Sequence, residues 1–296
     1  MYSERMDHIE EMIAKCQTMY RRSGMDISTI TLFYQLVEYY YVNFGRDLPW
    51  RRTQDPYHIF ISEIMLQQTQ VDRVIPKYID WITHFPDFKS VSEAGFDEVM
   101  SYWQGLGYNR RALNLHKAAT IIDHDYQGIL PKDPDILATL PGIGNATAAS
   151  MSVFAYNTPL VFLETNIRTV FIVLFFSENE IVDDSAIINL LKRSCDEVRP
   201  ARWYNALMDI GTYFKKTRGN PGRNSKKYRM QEPFHGSKRK IRGQVLSLLI
   251  KNGQLCVESL YDQIGDDRIH EVLLDLTHEG LIAEKNGHYG ISKKRY

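Results

Sequence analysis

Cysteine is scarce in this chain: three in 296 residues, at positions 16, 195 and 256. They lie far apart and make neither a disulfide framework nor a Cys-x-x-Cys metal site, and such use suits a reducing cytosol. Long hydrophobic runs are also missing. No stretch reaches the roughly 18 apolar residues that a membrane helix needs, so a spanning reading is excluded. The start, Met1-Tyr2-Ser3-Glu4-Arg5, lacks the basic-then-apolar profile of a secretory signal, and a cytoplasmic location is expected. Net charge is absent too, with 36 basic residues balancing 36 acidic ones. A zero balance argues weakly against nucleic-acid binding, but the average conceals a block. Residues 215–242 hold 11 Lys and Arg against the single acid Glu232, leaving 25 basic and 35 acidic residues elsewhere. A basic block on an acidic body is either an electrostatic footprint for phosphates or a solvated linker, and charge alone favours the linker.

What is present is helical patterning. The length suits two modest domains or one large one, and 44% hydrophobic content is ordinary for a globular protein. Residues 4–22 place Met6, Ile9, Met12, Ile13, Cys16 and Tyr20 on one helical face, and Gly24 follows as a stop. Further helices are predicted at 28–44, 57–70, 73–84, 95–102, 109–124, 133–139, 145–156, 166–176, 184–196 and 201–214. No alternating strand pattern precedes residue 240, so this part reads as all-α. Residues 218–237 carry Gly219, Pro221, Gly222, Pro233 and Gly236 among basic residues, a linker signature. Beyond it, 241–249, 259–264 and 268–278 predict three short helices. A hairpin then turns at Asn286-Gly287 between 281–285 and 288–292, which makes the segment winged-helix-like. The expected organisation is an N-terminal helical extension (1–25), a main helical domain (26–217), a basic linker (218–237) and a winged-helix-like α+β domain (238–296).

Three short segments carry chemistry. Glu63 is the one carboxylate in Ser62-Glu63-Ile64-Met65-Leu66-Gln67-Gln68-Thr69-Gln70. Leu140-Pro141-Gly142-Ile143-Gly144 is a turn between helical stretches, continued by Asn145-Ala146-Thr147. Its glycines allow a sharp turn and a close backbone approach to phosphate, and the helix after it would offer free N–H groups. A plain interhelical turn is the equal alternative on the hairpin alone. A dinucleotide fingerprint fits poorly, because the glycines follow a helix rather than a strand. The third segment, Phe162-Leu163-Glu164-Thr165-Asn166, supplies a second acid.

These motifs, together with Leu48-Pro49-Trp50-Arg51, Gly105-Leu106-Gly107-Tyr108, Asn114-Leu115-His116 and Leu207-Met208-Asp209-Ile210-Gly211, stand in an order that resembles the helix-hairpin-helix DNA glycosylases. Within them the chain is most similar to the adenine-specific, MutY-like mismatch glycosylases, from about Leu48 to about Phe214. The resemblance implies a two-lobed all-α fold that binds mismatched or damaged double-stranded DNA, as a monomer, in a prokaryotic nucleoid.

By the same resemblance Glu63 is the general acid that protonates N7 of a flipped adenine, a role served by desolvation among Ile61, Ile64 and Leu66. A lone helical Glu is ordinarily a solvated surface charge, and only the family match reverses that preference. Glu164 falls where the family places an Asp that stabilises the sugar cation, one methylene longer here. As a residue at a helix start it has a plain alternative, a carboxylate favoured by the dipole. Trp50, Arg51, Leu66, Val71 and Asp209 match positions lining the base pocket. Gln68 and Tyr108 match residues that wedge into the base stack. Gln67, Gly142, Gly144, Asn145, Thr147, Lys215 and Lys216 are expected DNA contacts. Ala146 stands where bifunctional relatives carry a Schiff-base lysine, so base removal without strand cleavage is expected.

The chain also departs from the family. An iron–sulfur cluster needs cysteine thiolates, and Lys215-Lys216-Thr217-Arg218-Gly219-Asn220-Pro221 has none where the family holds its cluster. No cofactor is therefore expected, beyond a possible monovalent cation at the hairpin. The family's 8-oxoguanine-recognition domain is expected to be absent, replaced by the winged-helix-like segment. Two other functions stay open: the same fold acting on thymine, uracil or a damaged base, and a catalytically silent DNA-binding protein.

Overall fold

The computed structural model describes residues 2–178, 180–230, 234 and 236–294. In chain order its first helices are α1 (Tyr2–Ser23), α2 (Ile27–Phe44), α3 (Pro56–Leu66), α4 (Val71–His84), α5 (Phe88–Glu93) and α6 (Phe96–Trp103). Then come α7 (Arg110–Asp125), α8 (Pro134–Leu137), α9 (Asn145–Tyr156), α10 (Thr165–Phe175), α11 (Asp184–Ser194) and α12 (Pro200–Thr217). The chain closes with α13 (Lys238–Asn252), β1 (Leu255–Cys256), α14 (Val257–Ile264), α15 (Ile269–His278), β2 (Ile282–Lys285) and β3 (His288–Ile291). Short 3-10 turns occupy Pro49–Arg51 and Pro221–Asn224. Two compact units result, one of residues up to 52 with 145–230, the other of 53–144 with 231 onward.

In the first unit, α1 buries Ile9, Met12, Ile13 and Cys16, the one-face spacing of an amphipathic helix. These side chains enter the same core as Phe33, Leu36 and Val37 of α2 and as Phe171 and Phe214. The expected N-terminal extension is thus part of this core rather than an appendage. Gly24 (φ +67°) reverses the chain, and Asp26 caps α2 by accepting from the Thr29 N–H at 2.8 Å. α10 and α12 pack closely because of Gly211, where an added Cβ would lie 2.3 Å from the Asn166 carbonyl oxygen.

The segment predicted as a linker is partly built structure. Val182 and Ser225 form a parallel bridge, with Val182 N–H to Asn224 O at 2.7 Å and Lys226 N–H to Val182 O at 3.0 Å. Gly222 and Ser225 are buried. Much of the basic block is likewise spent internally: Arg218 pairs with Glu10, Lys226 with Asp183, Lys227 with Asp184, and Lys238 with Glu271 and Asp275. Residues 231–233 and 235 of that segment lie outside the described residues.

In the second unit, α3 starts on an Asp55 cap with Pro56 in its first turn, and buries Tyr57, Ile59, Phe60, Ile61, Ile64 and Met65. Trp81 and Trp103 are fully buried. The C-terminal module is three helices and a three-stranded antiparallel sheet in the order β1-β3-β2. Asn286 (φ +53°) and Gly287 (φ +76°) make its tight turn as the sequence predicts. The module packs on α6, with Gln104 Nε2 donating to Ser247 Oγ at 2.9 Å.

Candidate active site

The hairpin is a type II turn. Ile143 N–H donates to Leu140 O at 3.1 Å, Pro141 presets the first corner, and Gly142 takes the left-handed second corner at φ +78°. A Cβ on Gly142 would also lie 2.7 Å from the Asn114 side chain, so glycine is needed twice over. At Gly144 an added Cβ would meet nothing within 4 Å, leaving the backbone open. α9 begins at the next residue, Asn145, with Asn145 and Ala146 exposed and Thr147 half-buried.

Glu63 is half-buried three residues before the end of α3, between buried Ser62 and buried Ile64. The predicted helix 57–70 stops early, at Leu66, because Gln68 turns left-handed at φ +54°, a conformation that a non-glycine residue adopts only under constraint. Tyr108 does the same at φ +47°.

The constraint on both loops is Arg111, which the sequence reading passed over. Its Nη1 donates to Ile64 O (2.9 Å), Met65 O (2.9 Å) and Gln67 O (2.6 Å). Its Nη2 donates to Thr69 Oγ1 (2.8 Å), Leu106 O (3.3 Å) and Gly107 O (3.0 Å). The guanidinium also lies 5.1 Å from the Trp103 ring centroid and 5.5 Å from that of Tyr108. Burial lowers its pKa to about 10, still charged at neutral pH. One cation thus ties the Gln67–Thr69 loop to the Leu106–Tyr108 loop. The available signal was a basic pair, Arg110-Arg111, opening a helix, where the dipole disfavours positive charge. Gln68 and Tyr108 are exposed, Gln67 is half-buried, and the Tyr108 hydroxyl accepts from Arg239 at 3.2 Å. Leu66 and Val71 are half-buried at the end of α3 and the start of α4.

In the first unit, Glu164 is the N-cap of α10. Its Oε1 accepts from the N–H groups of Asn166 (2.8 Å) and Ile167 (3.0 Å). Burial pushes its pKa up; the Ile167 N–H, the Lys215 charge, the Asn166 N–H and the Arg168 charge pull it back, without cancelling the rise. The dipole-favoured alternative is therefore realised in the geometry, and it places the carboxylate rather than opposing a chemical role. Lys215 is half-buried and donates to Asn166 Oδ1 at 2.6 Å, whereas Lys216 is exposed.

Asp209 is almost fully buried, its side chain 1% exposed. It receives the Arg46 N–H (2.9 Å), Arg46 Nε (2.6 Å), Arg51 Nη1 (2.7 Å) and Arg51 Nη2 (2.9 Å). Arg51 also donates to the carbonyls of Arg46 and Asn205. Arg51 and Asp209, which match positions lining the base pocket, are bound to each other in the structure and form a braced wall. Arg46, which the sequence reading missed, is the more exposed cation of this group, at 30% against 7% for Arg51. Trp50 sits beside it in the 3-10 turn, 7% exposed.

Among the expected residues, Trp50, Arg51, Glu164, Asp209, Lys215 and Lys216 fall in the first unit with α9 and its Asn145 and Thr147. Glu63, Leu66, Gln67, Gln68, Val71, Tyr108, Gly142 and Gly144 fall in the second. No group of three or more His, Cys, Asp or Glu side chains able to hold a metal ion occurs among the described residues. Nor is any helix among them long and apolar enough to cross a membrane.

Residues 61–197 match the model of the HhH-GPD superfamily base excision DNA repair proteins. The adenine DNA glycosylase of Buchnera aphidicola subsp. Baizongia pistaciae is 38% identical over 188 residues, covering 62% of this chain and 53% of that protein. The adenine DNA glycosylase of Mycolicibacterium smegmatis is 44% identical over 132 residues, covering 44% of this chain and 45% of that one. The chain spans about half the length of the curated relatives it matches. Among solved structures, a thermostable thymine-DNA glycosylase superposes with TM-score 0.57 at 23% identity, over 65% of this chain and 90% of its own. A non-covalent endonuclease III–DNA complex gives 0.53 at 16%, over 64% and 88%. The chain thus has the helix-hairpin-helix glycosylase fold of these structures, and its residues 61–197 are similar to the HhH-GPD superfamily of base excision DNA repair proteins.

Proposed function

We propose that this protein is a monofunctional DNA glycosylase of base excision repair that hydrolyses the N-glycosidic bond of adenine mispaired with guanine or 8-oxoguanine. The observation that carries this reading is Glu164, a carboxylate taken partly out of water at a helix start with both its backbone bonds on one oxygen. Its second oxygen is left for other work. The similarity to adenine DNA glycosylases selects the base.

In the proposed reaction, duplex DNA docks its phosphates on the open backbone of Gly142–Gly144 and the first N–H groups of α9. Gln68 and Tyr108, held in left-handed backbone by Arg111, enter the stack and offset the unstacking cost of a few kcal/mol. Trp50, Leu66 and Val71 each offer apolar surface to the flipped adenine, the Arg51–Asp209 pair braces the backbone beside Trp50, and Lys216 offers positive charge to phosphate. Glu63 donates its proton to adenine N7, and the C1′–N9 bonding electrons leave with the base. Glu164 balances the sugar's positive charge until water adds at C1′ and releases a proton to solvent, from which Glu63 is reprotonated for the next turnover. Ala146 offers no amine, so no Schiff base forms there and the product is an abasic site in an intact strand.

An iron–sulfur cluster does not fit this chain. Three cysteines cannot supply four thiolates, and where α12 ends the chain carries Lys215, Lys216 and Arg218 and continues into the bridge at Ser225. Iron and labile sulfide assays on pure protein are expected to find neither, and a stoichiometric cluster would overturn this point.

Single-turnover excision on duplexes carrying A, T, U or hypoxanthine opposite G or 8-oxoguanine tests the substrate. Release of adenine supports the reading. Release of a pyrimidine instead would keep the chemistry and discard the adenine pocket, and tight binding without release would favour a silent DNA-binding protein.

A further inference from the structure

Lys215 was expected to meet DNA, yet its side chain turns inward. It lies on α12 one helical turn after Gly211, hence on the same face. Gly211 abuts the Asn166 carbonyl, and Lys215 donates to the Asn166 side chain at 2.6 Å. The Asn166 N–H in turn donates to Glu164 Oε1 at 2.8 Å. α12 therefore grips the first turn of α10 at two points, and the gripped residue is one that holds the carboxylate.

The charges around Glu164 are few. From α10 itself comes Arg168, but its Nε and Nη2 are bound to Asp184 of α11 at 2.8 and 2.9 Å, and Asp184 also meets Lys227 at 3.1 Å. From α12 comes Lys215, bonded to a neutral amide and in no ion pair among the described residues. Arg168 is thus largely balanced by its own acid, whereas Lys215 is not.

We propose that Lys215 is a positioning residue for Glu164: it anchors Asn166, and it supplies the positive charge that keeps the carboxylate ionised while the sugar cation develops. The shifts agree with this arrangement. Burial lowers the Lys215 pKa and the Glu164 charge opposes that, while burial raises Glu164 and Lys215 opposes it. The proposal rests on the reading of Glu164 as the carboxylate that works ionised. On that reading the rate falls as pH falls through the Glu164 pKa, so loss of the cation moves this acidic limb to higher pH.

The test uses the full chain and the variants Lys215→Met, Lys215→Gln and Lys215→Arg. Gln keeps a neutral donor for Asn166, so it separates anchoring from charge and stands in if Met fails to fold. Two quantities are followed against pH: single-turnover adenine excision, and the 13C signal of the Glu164 carboxyl, assigned by its loss in Glu164→Gln. In Met and Gln both midpoints should move up by about one pH unit or more, so that rates on the limb fall about ten-fold while the plateau changes little. Arg should restore both. Unmoved midpoints, or a uniform loss at every pH that Arg does not rescue, would overturn the proposal. The carboxyl titration needs no substrate. A wild type that excises nothing would therefore sink the proposed activity, while the titration would still decide whether Lys215 sets the charge of Glu164.

Discussion

Glu63 lies three residues from the carbonyl end of α3, whereas Glu164 is the residue that opens α10. The two carboxylates thus sit at opposite poles of their helices. At a carbonyl end the dipole disfavours added negative charge, and at an N-terminus it favours it. The end of α3 is managed by a cation, Arg111, which takes the carbonyls of Ile64, Met65 and Gln67. The start of α10 is managed by Glu164 itself, with Lys215 behind it. Two acids in one protein can take different proton tasks because their surroundings differ, and here the difference begins with which end of a helix each occupies.

The comparison is broken most severely at the acids. Glu63→Gln should slow excision roughly 1,000-fold, the scale of a lost proton donor, with the melting temperature nearly unchanged. Rate loss matched by unfolding would instead make Glu63 a structural residue.

Arg111→Met comes next. It strands buried carbonyls and frees two left-handed loops, so a stability loss of about 2 kcal/mol is expected in denaturant titration, with slower excision besides. Because Arg111 serves the α3 end, the pH midpoint of the Glu164 carboxyl should stay where it is. A moved midpoint would show that the two poles are not independent.

Glu164→Gln separates chemistry from stability. Its folded pKa is raised, so burying the charge costs stability above the ordinary carboxylate range, and the cost disappears as pH falls through that range. Gln keeps a capping oxygen without the charge. The variant should lose excision yet melt higher at neutral pH, with no gain in acid. A lower melting temperature at neutral pH would contradict the sign.

The smallest effect belongs to a surface control. Asp183 caps α11 through the Ser185 N–H, as Glu164 caps α10, but it is exposed and pairs directly with Lys226, and its pKa is lowered to about 2. Here hydrogen bonds win where burial wins at Glu164. Asp183→Asn should lower stability slightly at neutral pH, and the deficit should vanish as pH falls through about 2.

Much of this was legible in the sequence because it is local. The spacing Ile9, Met12, Ile13, Cys16 gave α1, and Asn286-Gly287 gave the hairpin turn. Leu140-Pro141-Gly142 reads directly as a type II turn. What escaped was either short or non-local. α5 has six residues and β1 two, too few for a period. The end of α3 escaped because Gln68 turns left-handed for a guanidinium more than 40 residues away in sequence. Arg46 escaped because only folding brings Asp209 to it. The linker reading of 218–237 failed where Gly222 and Ser225 dock against the first unit, since Gly and Pro mark a turn without saying what it packs on.

The most direct test is a single-turnover assay on a duplex with adenine opposite guanine, each time point split and read with and without alkali, for the wild type, Glu63→Gln and Glu164→Gln. The account predicts strand scission only after alkali in the wild type and almost none in either variant. Scission without alkali, or full activity in either variant, would contradict it.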